Sequence, residues 1–145
     1  MEDRFETFTV LINRISRNIR KIKNQEMAEH GLRSAHISCL YHLYKVEKIT
    51  ATELSERCEE DKATISRALD FLETNGFISC PSQSAKRYKC PLTLTEKGRM
   101  VAEEIVEKVD GVLALVSVGL TEEERNAFYR SLSIISDSID AVANH

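Results

Sequence analysis

Apolar residues in the first part of the chain recur at Phe5, Phe8, Ile12, Ile15, Ile19 and Ile22, in alternating steps of three and four. This is an a/d seam, and it predicts a long first helix closing near Gly31, a residue that adopts a left-handed cap without steric cost. Arg14, Arg17, Arg20, Lys21 and Lys23 fill the remaining faces, as they do on a solvated helix surface. Ala35, Ile37, Leu40, Leu43 and Tyr44 then mark a second helix. Thr50-Ala51-Thr52-Glu53 has the form of a capping box and opens a short third helix that runs to Cys58. The acidic stretch 59–61 reads as a turn. Asp61 is placed there to cap a fourth helix, which begins at Lys62, carries Ile65, Leu69 and Leu72 on one face and ends at Asn75-Gly76.

Beyond Gly76 the period changes. Residues 77–80 and 89–94 read as two short strands around the polar, basic segment 82–88, which makes a hairpin and the only β signal in the chain. Pro91 confines its strand to an edge or a bulge. A fifth helix starts near Thr95, with Met100, Val101, Ile105, Val109, Val112, Leu113 and Val116 as its apolar set and Gly111 as a candidate bend. Gly119-Leu120 breaks it, and Thr121-Glu122-Glu123-Glu124 is a second capping box. The last helix carries Phe128, Leu132, Ile135, Ile139 and Val142 on one face. The predicted class is mainly α with a small hairpin.

Composition narrows the picture. With 145 residues the chain suits one domain, and 42% hydrophobic content is too high for a disordered one. Five glycines and two prolines are too few for the turns of an all-β fold. No apolar run reaches the ~18 residues of a spanning helix, and the acidic start MEDRFETF is unlike a signal peptide. A soluble, cytoplasmic protein without membrane contact is expected. The four cysteines form no CxxC pair, so no metal site or cofactor is expected and each defaults to a free thiol.

The net charge of −3 argues against nucleic acid, but its distribution does not. Residues 1–61 hold 10 basic and 11 acidic side chains (−1), residues 62–99 hold 7 and 3 (+4), and residues 100–145 hold 3 and 9 (−6). An electrostatic footprint is local, and the basic middle is where one would lie. No phosphate loop, nucleophile elbow or metal-spaced cluster is present to support catalysis, since His36 and His42, six apart, point away from each other on a helix. An enzyme is not expected.

The unit from Thr50 to Gly76 has the form of a helix-turn-helix, whose second helix enters the major groove by its N-terminal residues. With Ile65 assigned to the interior, Lys62, Ala63, Thr64, Ser66 and Arg67 face outward, and Thr52 joins them from the preceding helix. Arg can grip guanine in bidentate fashion, hydroxyls can contact bases or phosphates, and Ala or a Thr methyl can meet a thymine methyl. A plain amphipathic helix pair would show the same polar face. The hairpin that follows places Lys86, Arg87, Tyr88 and Lys89 close by, a basic tip suited to phosphates or the minor groove. Together they form a winged helix-turn-helix.

In this order and spacing the motifs resemble the MarR (multiple antibiotic resistance regulator) family of bacterial transcription factors, over almost the whole chain. The resemblance rests on Gly31-Leu32, Thr50-x-x-Glu53-Leu54-Ser55, Lys62-Ala63-Thr64-Ile65-Ser66-Arg67 and Leu72-Glu73-x-x-Gly76-Phe77-Ile78. It continues through Leu94-Thr95-x-x-Gly98-Arg99 and Gly119-Leu120-Thr121-x-Glu123-Glu124. It implies a homodimer held by helical regions 1–30 and 100–145, with 32–99 as the winged DNA-binding region of a single compact domain. The implied target is a pseudo-palindromic double-stranded operator, bound by a repressor. The chain departs from the family at the wing, where the usual Asp-x-Arg pattern is replaced by Lys86 and Tyr88 with Arg87 between them.

The resemblance also implies release by a small aromatic or anionic effector, with Arg17, Arg20, His36, Tyr41 and Tyr44 as candidate pocket residues. Ordinary packing of the tyrosines is the alternative. A redox-sensing regulator is a further alternative. Cys80 and Cys90 flank the hairpin loop symmetrically, so a simple hairpin sets them opposite each other, within disulfide reach if they form a non-hydrogen-bonded pair. Two small apolar residues filling a hairpin would look the same. A winged-helix module that binds protein is the remaining reading.

Overall fold

A computed structural model describes residues 4–58, 60–80 and 90–145, with Phe5 described by its backbone alone. Its elements are α1 (Arg4–Glu26), a 3-10 turn (Ala28–His30), α2 (Ser34–Lys45), α3 (Ala51–Cys58), α4 (Lys62–Thr74), β1 (Ile78–Ser79), β2 (Thr93–Leu94), α5 (Glu96–Val116) and α6 (Glu122–Ala143). Among the described residues the fold is mainly α with one small antiparallel sheet, as the periodicity predicts.

The local start signals act as expected. At α3 the Glu53 amide donates to Thr50 Oγ1 at 3.2 Å and the Thr50 amide to Glu53 Oε1 at 3.4 Å. At α6 the Thr121 and Glu124 amides exchange the same pair of bonds with the opposite side chains, at 3.0 and 3.1 Å. At α5 the Gly98 amide donates to Thr95 Oγ1. Each of these bonds satisfies a donor that the first helical turn leaves without a partner. α5 runs unbroken through Gly111.

Two boundaries differ from expectation. α1 ends at Glu26, five residues before Gly31. The seam stops at Ile22, and the next apolar side chain, Met27, is off its step and turns into the core, where it is 1% exposed. The chain then tightens into the 3-10 turn, and Gly31 (φ 71°) caps that turn instead, with its amide on Ala28 O. The strands are also shorter than expected, two residues each, with Ile78 opposite Leu94 and Ser79 opposite Thr93. Pro91 has no N–H to give, and the next residue, Leu92, bonds elsewhere: its amide donates to Ile49 O at 2.9 Å in an isolated bridge. Nothing in the pattern around Ile49 announces this bridge.

The core lies among α2, α3, α4 and the sheet, where Leu40, Leu54, Leu69, Leu72 and Leu92 are fully buried. The start of α5 closes over the strand end. A Cβ on Gly98 would run into the Phe77 carbonyl, so only glycine permits this approach. The Thr95 amide donates to that same carbonyl and its hydroxyl donates to Gly76 O at 2.6 Å.

The backbone gathers into two compact units, residues 1–108 and 109–145. The second holds the end of α5, the turn through Gly119 and the whole of α6, in which no residue is buried. Among the described residues no helix is long and apolar enough to cross a membrane.

Candidate nucleic-acid interface

α4 is anchored from within and capped from its first turn. Ile65, Ala68, Leu69 and Leu72 form its buried face. Asp61, in extended conformation, accepts the Thr64 amide at 2.7 Å. The bonds from the Thr64 amide and hydroxyl hold the Asp61 carboxyl below the usual carboxylate range. A carboxylate at this end also complements the helix dipole. The turn itself is tied by Ser55, whose hydroxyl donates to Glu60 O at 3.0 Å.

With that face inward, Lys62, Ala63, Ser66 and Arg67 are exposed and Thr64 is half-buried. Arg67 Nη2 donates to Thr64 Oγ1 at 3.4 Å, one turn back, which draws the guanidinium toward the start of the helix. Thr52, from α3, meets Lys62 and Ser66 across a shallow groove floored by Ile65 and Leu69. Ser55 lines the same groove and was not among the expected residues. The signal for it was available, because position 55 lies three residues after Thr52 and shares its helix face. Of the six helical candidates, Thr52, Lys62 and Ser66 line this groove, Thr64 and Arg67 are joined by their hydrogen bond, and Ala63 is exposed on α4. Lys86, Arg87, Tyr88 and Lys89 lie outside the described residues.

The base of the wing is described. Cys80 and Cys90 are joined by a disulfide, with their Cα atoms 6.3 Å apart. This replaces the default expectation of two free thiols; the pair is not directly opposed, because the register of Ile78 with Leu94 and Ser79 with Thr93 would set position 80 against position 92, and the bond spans a two-residue offset beyond the strand ends. Lys97 Nζ donates to Asn75 O at 2.8 Å and lies 4.4 Å from the centre of the Phe77 ring. The end of α4 is thereby tied to the start of α5.

The five candidate effector residues lie on α1 (Arg17, Arg20) and α2 (His36, Tyr41, Tyr44). Arg20 lines a groove of about 290 Å³ between α1, α2 and α3 and pairs with Glu60 at 3.3 Å. Arg17 is exposed on α1. His36 stacks on Phe71 of α4 at 4.4 Å between ring centres, and its Nδ1 accepts the Arg33 amide. Burial and the nearby Arg33 lower its pKa, so it offers a neutral imidazole and no charge for an anion. Tyr41 packs edge-on to His42 and under the Lys45 ammonium. Tyr44 is half-buried on α2.

One trio among the described residues could converge on a cation. Glu29, His30 and Glu104 bring donor atoms within 4.8 Å of one another. Lys108 Nζ lies 3.4 Å from Glu104 and 3.8 Å from Glu26, so an ammonium already balances these partly exposed carboxylates. The group is a surface ion-pair network of the kind that contributes little to stability.

Residues 32–113 match the family model described as winged helix DNA-binding domain. The chain belongs to that family. Among curated relatives, the HTH-type transcriptional repressor YetL of Bacillus subtilis (strain 168) is 27% identical over 120 residues, 81% of this chain and 72% of its own. The solved MarR family transcriptional regulator from Silicibacter pomeroyi is 26% identical, with a TM-score of 0.78 over 89% of this chain and 87% of its own. A Listeria monocytogenes protein of MarR type, solved with a 26mer DNA, is 27% identical with a TM-score of 0.82, covering 96% of this chain and 90% of its own. This winged-helix protein is a transcriptional regulator of MarR type, and its relatives are DNA-binding regulators, not enzymes.

Proposed function

We propose that this regulator acts in the cytoplasm as a homodimeric repressor, reading a pseudo-palindromic operator in double-stranded DNA with α4 in the major groove and the wing beside it. The observation that carries this reading is the division of α4: Lys62, Ala63, Ser66 and Arg67 are presented outward while Ile65 and Leu69 are sealed in the core. Support for the dimer comes from apolar side chains left in solvent, Ile12, Ile15 and Ile19 on α1 and Phe128, Ile135 and Ile139 on α6. Stripes of this kind on a lone chain mark a surface that a partner covers. Two-fold symmetry then spaces the half-sites about 10 bp apart. The Listeria protein's complex with a 26mer is consistent with a duplex as the ligand.

Selection of bound duplexes from a random pool, followed by measurement of affinity against salt, tests the proposal. Enrichment of a two-fold sequence bound with a steep salt slope is expected. Salt-independent association with no enriched sequence would instead assign the surface to a protein partner.

Release by a small aromatic or anionic molecule is part of the same reading, with Arg20 beside the groove between α1, α2 and α3 as the first place to look. A lowered operator affinity in the presence of simple benzoates, lost in Arg20→Ala, would support it; no effect of any benzoate on affinity would remove it. The disulfide between Cys80 and Cys90 favours a second, redox reading, in which its reduction loosens the base of the wing. Equal operator affinity before and after reduction of that bond would eliminate this reading.

A further inference from the structure

The residue just before the cap of α4 is held from two directions. Ser55 on α3 donates its hydroxyl to the Glu60 carbonyl at 3.0 Å, and the Glu60 carboxylate pairs with Arg20 Nη2 on α1 at 3.3 Å. Asp61 follows at once and accepts the Thr64 amide. A residue in this place often sets the angle at which the chain enters a helix, by packing on the side chain five positions further on. Here that side chain is Ile65, which is turned into the core, and position 60 is charged, so its grip comes from α1 instead.

The helix that supplies the grip is itself fastened. Lys23, three residues after Arg20, donates to Ser38 Oγ on α2 at 3.0 Å, and Asn24 Oδ1 accepts the Ser34 amide at 2.7 Å. Ile12, Ile15 and Ile19 leave apolar surface in solvent on the same helix and line the same groove as Arg20 and Glu60. One polar pair therefore links the helix offered to a second subunit with the start of the helix offered to DNA.

We propose that Arg20 and Glu60 are positioning residues for operator recognition: the pair fixes the direction of α4 relative to α1, and with it the half-site spacing that the dimer accepts. This rests on the function proposed above. Neither residue needs to touch a base. Arg20 keeps 61% of its side chain exposed against 18% for Glu60, and a pair so open to water adds little to stability. Its effect lies in direction. In a symmetric dimer a change of tilt at one α4 is repeated at the other. Inserting one base pair moves a half-site by about 3.4 Å and turns it by about 35° around the duplex. A firmly held α4 rejects that duplex, and a loosely held one re-aims.

The test compares wild type, Arg20→Gln, Glu60→Gln and the double variant. Each is titrated with a two-fold duplex selected from the random pool and with the same duplex carrying one extra central base pair. The quantity read is the ratio of the two affinities, in which a general gain or loss of charge cancels. Either single substitution should shrink the wild-type ratio by about fivefold or more, the lower end of the usual coupling between sites. The double variant should shrink it no further, and Arg20→Glu combined with Glu60→Arg should restore it. Hydrogen exchange of the free protein gives a second readout: the Thr64 and Ile65 amides should exchange faster in both single variants, and the Leu69 amide at the wild-type rate. Unchanged ratios overturn the positioning role, as do effects of the two substitutions that multiply in the double variant. Wild type that binds no two-fold duplex refutes the function proposed above instead. In that case unaltered exchange at Thr64 and Ile65 overturns the hold of Arg20 and Glu60 on α4 as well, and faster exchange upholds it.

Discussion

Helices α4 and α6 carry apolar stripes at the same three-and-four spacing, yet the stripes end in different surroundings. In α4, Ile65, Leu69 and Leu72 are at most 2% exposed, packed in the core beside α2 and α3. In α6, Phe128, Ile135 and Ile139 remain 39–51% exposed and no residue of the helix is buried. A helix of 22 residues gains most of its stability from covering such a face. The stripe of α4 therefore completes a fold, and that of α6 is left for the dimer proposed above. The polar side of α4 can face outward because its apolar side is already satisfied within the chain.

The sharpest way to break this contrast is to truncate both stripes. Leu69→Ala should cost about 2–5 kcal/mol in urea denaturation, the range for an emptied core site. Ile139→Ala should leave the stability of the monomer within about 0.5 kcal/mol. Equal losses would mean that α6 is as much a part of the folded core as α4. A charge on the second stripe should act on association: Ile139→Asp is expected to weaken self-association by about 2 kcal/mol or more, as at an interface hot spot, read by sedimentation. Unchanged sedimentation would remove α6 from the dimer contact.

The outward side of α4 gives the next effect. Arg67→Ala should weaken operator binding by about 1–3 kcal/mol and relax sequence choice, whereas Arg87→Ala should weaken all sequences alike and reduce the salt slope by about 1. The same loss from both would remove the division between base reading and phosphate contact. The smallest effect belongs to the cap. The carboxyl of Asp61 titrates below its unfolded value, so its stabilising contribution is full above that value and fades as pH falls through the folded one. The stability gap between wild type and Asp61→Ala should therefore narrow below about pH 4, and Asp61→Asn, whose amide caps without titrating, should show no such narrowing. A gap constant down to pH 2 would mean that the charge plays no part.

What was legible in the sequence was mostly local. Capping boxes at Thr50 and Thr121 and the cap at Asp61 are written within four residues and appear where expected. The outward set on α4 followed from assigning Ile65 inward, a decision that one helical period supports. What depended on tertiary contact was not legible. The Ile49–Leu92 bridge and the Glu29–His30–Glu104 trio join residues with no common spacing. The stacking of His36 on Phe71 likewise joins α2 to α4 through residues with no common spacing.

The double fastening below the wing bears on how this protein could be rebuilt. Thr95 grips Gly76 and Phe77, and Cys80 is bonded to Cys90, so the two ends of the loop are held together whatever amino acids lie between. Lengthening a loop whose ends are already fixed is cheap, about 0.6 kcal/mol per doubling. The segment 81–89 between them is thus a natural graft point, where sequences from other regulators can be exchanged while its two ends stay fastened.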